Sequence, residues 1–249
     1  MDDVFLGSEA LRQGTVSRHQ LRTRFRAIYP DVYLSEHAAP SLRTRSVAAW
    51  LWSGRRGILA GLAAAALHGA QWIDDDEAIE LIWRNPYPPP GVITLNRRVD
   101  SDEVTHVGGL PATSLARTAF DLGRQVPTSK AVARLDALMR ATPFSSEDVL
   151  TLAKRHAGAR GLRNLRAALS LMDPGAASPK ETWLRLLLID AGLPAPITQI
   201  PVHEAWRLVA VLDMGWEAYK VAAEYDGDHH RTNRRQYVRD QDRLRKSQA

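Results

Sequence analysis

A chain of 249 residues, 45% apolar and 24% charged, has material for one large core or two to three smaller ones. It holds no cysteine, which excludes disulfides, zinc–thiolate sites and thiol catalysis. A formal charge of +5 and a pI of about 9.7 are compatible with a nucleic-acid partner, and only five of the 33 basic residues are Lys.

The N-terminal residues "MDDVFLGSEALRQG" are acidic and then polar, unlike a signal peptide. The most apolar stretch, Ile58 to Ala70, is too short to cross a bilayer. A cytoplasmic protein with no membrane partner is expected. "VFLGSEALRQG" reads as a helix closed by Gly14, and "TVSRHQLRTR" offers Ser17 as the cap of a second. "FRAIYPDVYLS" then reads as two strands around a Pro30-Asp31 turn. Helix, turn, helix and hairpin is the order of a winged helix. In that arrangement Arg18, His19, Arg22, Arg24 and Arg26 would face phosphates or base edges of DNA.

From Ser41 to Met172 the pattern is mixed. "SLRTRSVAAWLWSG" and "GILAGLAAAALHGA" read as helices, "AIELIWRN" and "GVITLNRRV" as strands split by the stiff "PYPPP". "TSLARTAFDLGRQV" is a helix opening at Thr113 or Ser114, with Arg117 and Asp121 spaced to pair on its surface. Three amphipathic helices follow, "SKAVARLDALMRA", "SSEDVLTLAKRHAG" and "GLRNLRAALSLMD". His68 and His106 stand alone and read as structural. No catalytic constellation is legible in this segment, which is expected to scaffold or to supply an interaction face.

"DPGAASP", Asp173 to Pro179, breaks the composition. With a first boundary near residue 40, it gives three expected units: a winged helix over 1–40, a mixed middle domain over 41–172 and an α/β unit over 173–249. In the last, "SPKETWLRLLLIDAGL" is a helix with Ser178 as cap, Pro179 in its first turn and Gly192 past its end. "ITQIPV", "RLVAVLDMGW" and "KVAAEYDG" are strands, and a basic helix closes the chain. If the last two strands form a hairpin turning near Ala218–Tyr219, opposed residues have numbers summing to about 437. Asp213 then faces Glu224, and Asp226, two residues on, shares the face. Carboxylates crowded in this way repel one another, and a divalent cation relieves the conflict. Mg2+ or Mn2+ on Asp213 and Glu224 would suit phosphodiester hydrolysis. Glu181 could reach the same patch, although Ser178-x-x-Glu181 equally fits a capping box. His230 or His229 could carry a proton. Arg234, Arg235, Arg239 and Arg243 suit phosphate contacts.

At these residues the C-terminal quarter resembles the PD-(D/E)XK nuclease superfamily, and more closely the Vsr-like (very-short-patch-repair) endonuclease domain. The matching words are "SPKETWLRLLLIDAGL", the strand acid Asp213, "VAAEYDGDHH" and "YVRDQDRLR". The resemblance implies a central sheet flanked by helices and metal ligation by Asp213 and Glu224. It further implies a metal-water or base role for Glu181 and supporting roles for Asp226 and His230. The superfamily's Lys two residues after the Glu is Asp226 here. Related domains continue with another strand and helix, so a shortened version is expected. Upstream, "GTVSRHQLRTRFRAIYPDVYL", "AGLAAAALHGA" and "GLPATSLARTAFDLGR" are similar to AbiEi-type antitoxins of type IV toxin–antitoxin systems, which begin with a winged helix and bind DNA. The fold expected is therefore α+β, and the function that of a DNA-binding protein with a Mg-dependent endonuclease-like domain. The alternative is a non-catalytic DNA-binding regulator or antitoxin. A cognate toxin or self-association would be its further partner.

Overall fold

The computed structural model describes residues 4–226, and among these the fold is mixed α and β. Strand β1 (Phe5–Leu6) is followed by helices α1 (Gly7–Gln13) and α2 (Arg18–Arg24) and by the hairpin β2 (Phe25–Tyr29) and β3 (Val32–Ser35). The three strands pair antiparallel in the order β1-β3-β2. The sequence pattern places a helix over all of "VFLGSEALRQG". The structure instead gives Phe5 and Leu6 to the sheet, because their partners Tyr33 and Val32 are supplied from across the hairpin. Gly14 does close α1, at a φ of 69°. Ser17 opens α2 through a reciprocal capping box with Gln20. Asp31, at a φ of 63°, makes the hairpin turn and accepts hydrogen bonds from the Ser8 backbone and hydroxyl.

Helix α3 (Leu42–Trp52), capped by Ser41, leads to β4 (Ile58–Ala60) and α4 (Gly61–Leu67). The apolar run Ile58 to Ala70 is thus a strand and a short helix rather than one helix. Leu59 is fully buried between β5 (Ile79–Ile82) and β8 (Leu110–Thr113), which supply backbone partners that a helix would forgo. With β6 (Val92–Leu95) and β7 (Val104–Val107) they form a five-stranded mixed sheet in the order β6-β5-β4-β8-β7. One apolar core joins Tyr29 and Val32 of the N-terminal hairpin to Leu42, Ala48, Leu59, Ile79 and Leu81. It therefore crosses residue 40 without a break.

Helices α5 (Leu115–Arg124), α6 (Thr128–Ala141), α7 (Ser146–Arg155) and α8 (Leu162–Leu171) enclose a second core around Phe120, Leu135, Leu138, Leu152 and Leu165. Helix α9 (Pro179–Asp190) adds Leu186 to it. Asp136 of α6 accepts hydrogen bonds from Thr182 and Arg185 of α9 and from the Asp173 N–H, at 2.7–2.8 Å. The last sheet, β9 (Ile197–Glu204), β10 (Arg207–Trp216) and β11 (Val221–Ala223), is an antiparallel meander in the order β11-β10-β9. Thr198 of β9 donates to the Asp173 carboxylate, which ties this sheet to the turn before α9.

Candidate functional site

The hairpin of β10 and β11 sets the site. Its pairs are Met214↔Ala223, Gly215↔Ala222 and Trp216↔Val221, and each sums to 437. The next position in that register sets Asp213 opposite Glu224. Gly215 permits the close approach: a Cβ there would lie 2.5 Å from the Val221 carbonyl oxygen. Strand β11 ends at Ala223, so Glu224 and Asp226 lie in the segment beyond it. Glu224 is half-buried, with Oε1 shielded from solvent, and Asp226 is exposed. Between them the Tyr225 N–H donates to Asp213 Oδ2 at 2.8 Å.

On its other side Asp213 faces Gln199. The pairs Leu212↔Ile200 and Met214↔Thr198 are formed, and the position between them is left open by Gln199, whose φ is 52°. The Gln199 side-chain amide donates to Glu181 Oε2 at 3.3 Å. Glu181 is chiefly a cap for α9. Its Oε1 accepts from the Ser178 hydroxyl at 2.9 Å and its Oε2 from the Ala177 N–H at 2.8 Å, while Ser178 Oγ accepts from the Glu181 N–H. Trp183 meets the Tyr225 ring edge-on at 6.5 Å, and Lys180 lies 5.9 Å from the same ring. These contacts bring the first turn of α9 beside the segment carrying Glu224. Gln199 was not singled out by the sequence pattern. Its only signal is an amide between the two Ile residues of "ITQIPV".

Among the described residues, no three of Glu181, Asp213, Glu224 and Asp226 bring ligand oxygens within 4.8 Å of one another; Asp100, Asp102 and Glu103 do. That group is close enough to hold a metal ion. Its charges are already paired. Asp100 meets Arg98 at 3.2 Å, Asp102 meets Arg155 at 2.7 Å, and Glu103 binds Arg117, Arg155 and His156. A cation there would have to displace guanidinium groups. Arg117 also binds Asp121 at 2.9 Å, but both side chains are buried, not on the helix surface as their spacing suggests. Their third partner, Glu103, comes from outside the helix. His68 Nε2 donates to the Thr113 carbonyl, 2.8 Å away, a contact that ties α4 to the end of β8.

Arg18, His19, Arg22, Arg24 and Arg26 are all exposed on α2 and the start of β2. Arg26 donates to the Ala38 carbonyl at 2.8 Å. His229, His230, Arg234, Arg235, Arg239 and Arg243 lie outside the described residues.

No protein-family model matches the chain. Two proteins of Mycobacterium tuberculosis are similar to it: "Uncharacterized protein MT2308" of strain CDC 1551 / Oshkosh and "Uncharacterized protein Rv2248" of strain ATCC 25618 / H37Rv. Each is 29% identical over 228 residues, covering 89% of this chain and 80% of the relative. Among the described residues no helix is long and apolar enough to cross a membrane.

Proposed function

We propose that this chain is a DNA-binding protein whose C-terminal unit hydrolyses DNA phosphodiesters with a divalent cation, Mg2+ or Mn2+. The observation that carries the reading is the β10–β11 register, whose continuation by one position beyond Met214↔Ala223 would set Asp213 against Glu224. The donor set suits a hard cation, since Asp213 and Glu224 offer carboxylate oxygens. Asp213 and Glu224 would hold the ion, and the Tyr225 N–H donates to one Asp213 oxygen, Oδ2. A bound cation supplies charge neutralisation for the phosphate as negative charge builds in the transition state. Glu181, which accepts hydrogen bonds from Ser178 and Gln199, would take the proton of the attacking water. Asp226 and His230 would take the supporting roles that the resemblance implies. The exposed arginines of α2 hold the duplex by its phosphates, with Arg18 and Arg22 one helical turn apart.

A second reading is favoured by one observation. Glu181 is already satisfied as a helix cap, so the same architecture serves a DNA-binding regulator or antitoxin without catalysis, acting with a toxin partner or a second copy. Supercoiled plasmid separates the two. With Mg2+ or Mn2+ the wild type nicks it and Asp213→Ala does not. Salt-sensitive DNA binding without nicking would leave the second reading.

A further inference from the structure

No acidic residue occurs between Asp148 and Asp173, while Lys154, Arg155, Arg160, Arg163 and Arg166 fall in that interval. Arg155 is committed to Asp102 and Glu103. The other four are exposed, and none is in an ion pair among the described residues. They occupy the last turn of α7, the turn that follows and the outer face of α8, where Arg163 and Arg166 are neighbours at three-residue spacing. The opposite face of α8, Leu165, Ala168 and Leu169, is buried in the helical core, which fixes the basic face outward.

The turn is held from beneath. Gly161 has a φ of 84°, and a Cβ there would collide with the Arg124 carbonyl. Arg124 donates to the Arg160 carbonyl at 3.3 Å and is itself anchored on Asp121. Asn164 donates to the carbonyls of Gly123 and Val126 at 2.7 and 2.8 Å. The cations therefore project from a braced frame, so little backbone ordering remains to be done on binding.

The surface lacks what a protein or membrane partner would use. No exposed large hydrophobic residue lies on α7, α8 or the turn between them. Protein interfaces carry an apolar centre, and membrane-surface helices carry an apolar face. A regular line of anionic oxygens needs neither, and Arg meets it bidentately.

We propose that the α7–α8 turn and the outer face of α8 form a second contact surface for the phosphate backbone of duplex DNA, apart from the winged helix. This rests on the reading that the chain binds DNA. The test uses the full chain and a short labelled duplex of random sequence, with affinity measured across a salt series. Each lost phosphate contact lowers the slope of log K against log salt by about 0.9. The combined variant Lys154→Ala, Arg160→Ala, Arg163→Ala, Arg166→Ala loses roughly two to four contacts' worth of slope and at least about tenfold in affinity at low salt. Arg160→Lys with Arg163→Lys and Arg166→Lys keeps the slope, which separates charge from any disturbance of the fold. An unchanged slope in the Ala variant, with binding lost only in Arg18→Ala with Arg22→Ala, overturns the second surface and spares the DNA reading. No binding by the wild type at low salt overturns both.

Discussion

Gln199 donates its side-chain amide to Glu181 Oε2 at 3.3 Å, and so links the first turn of α9 to the position of β9 that faces Asp213. Glu181 keeps two further donors, the Ser178 hydroxyl and the Ala177 N–H, when that amide is removed. Gln199→Leu is thus expected to change stability by less than about 1 kcal/mol while lowering plasmid nicking at least about tenfold. Chemical denaturation and initial nicking rates, run on the same preparation, check the two effects separately.

Gly215 makes room for β11. A methyl group at that position would press on the Val221 carbonyl and on Ala222 Cα. Gly215→Ala is expected to cost about 1–3 kcal/mol and to part the two strands at the pair next to Asp213. Amide exchange at Ala223 and Tyr225 should accelerate, and nicking should fall by more than the loss of folded protein explains. Unchanged exchange there would mean that the strands absorb the methyl group without moving.

The buried Arg117 neutralises two acids, Glu103 and Asp121. Arg117→Leu leaves both inside with less compensation, at a cost of roughly 3–5 kcal/mol. Arg155, His156 and Arg124 remain as partners and set the lower end of that range. The shift in denaturant midpoint measures it, and a shift below about 1 kcal/mol would show that the remaining cations suffice.

Burial pushes the Asp136 carboxyl up to about 6 from 3.8, against the lowering effects of the Asp173 N–H, Arg185 and Thr182. The folded protein therefore holds this proton to higher pH than the unfolded chain. The contribution is fully present below about pH 4 and is lost as pH rises through about 6, on the order of 3 kcal/mol for a shift of this size. Asp136→Asn cannot titrate. The stability of wild type relative to that variant is expected to fall between pH 4 and 6 and to be flat above about 7. A difference that stays level from pH 4 to 6 would contradict this assignment.

Local chemistry was legible along much of the chain. Ser17 and Ser178 cap the helices that their hydroxyls suggest, Ser114 rather than Thr113 caps α5, and Gly14 and Gly192 sit past helix ends at positive φ. The α+β class followed from these signals. What escaped depends on distant partners. Phe5–Leu6 and Ile58–Ala60 are strands because β3, β5 and β8 pair with them, and a short apolar run carries no mark of that. The β7–β8 hairpin turns at Gly108-Gly109, both at positive φ, a two-glycine turn signal that the sequence carries. At the candidate site, the β10–β11 register followed from counting because one tight turn fixes it. Gln199 did not, because its place opposite Asp213 depends on a separate hairpin and on a left-handed residue within a strand.

The central claim is that Asp213 and Glu224 together hold a divalent cation. Calorimetric titration of Mn2+ into the full chain, the Asp213→Asn variant and the Glu224→Gln variant tests it most directly. The account predicts one site in the wild type, weakened at least about tenfold in each variant, with the folded state of both variants intact by circular dichroism. Equal Mn2+ binding by wild type and both variants, or none by any of them, would contradict it.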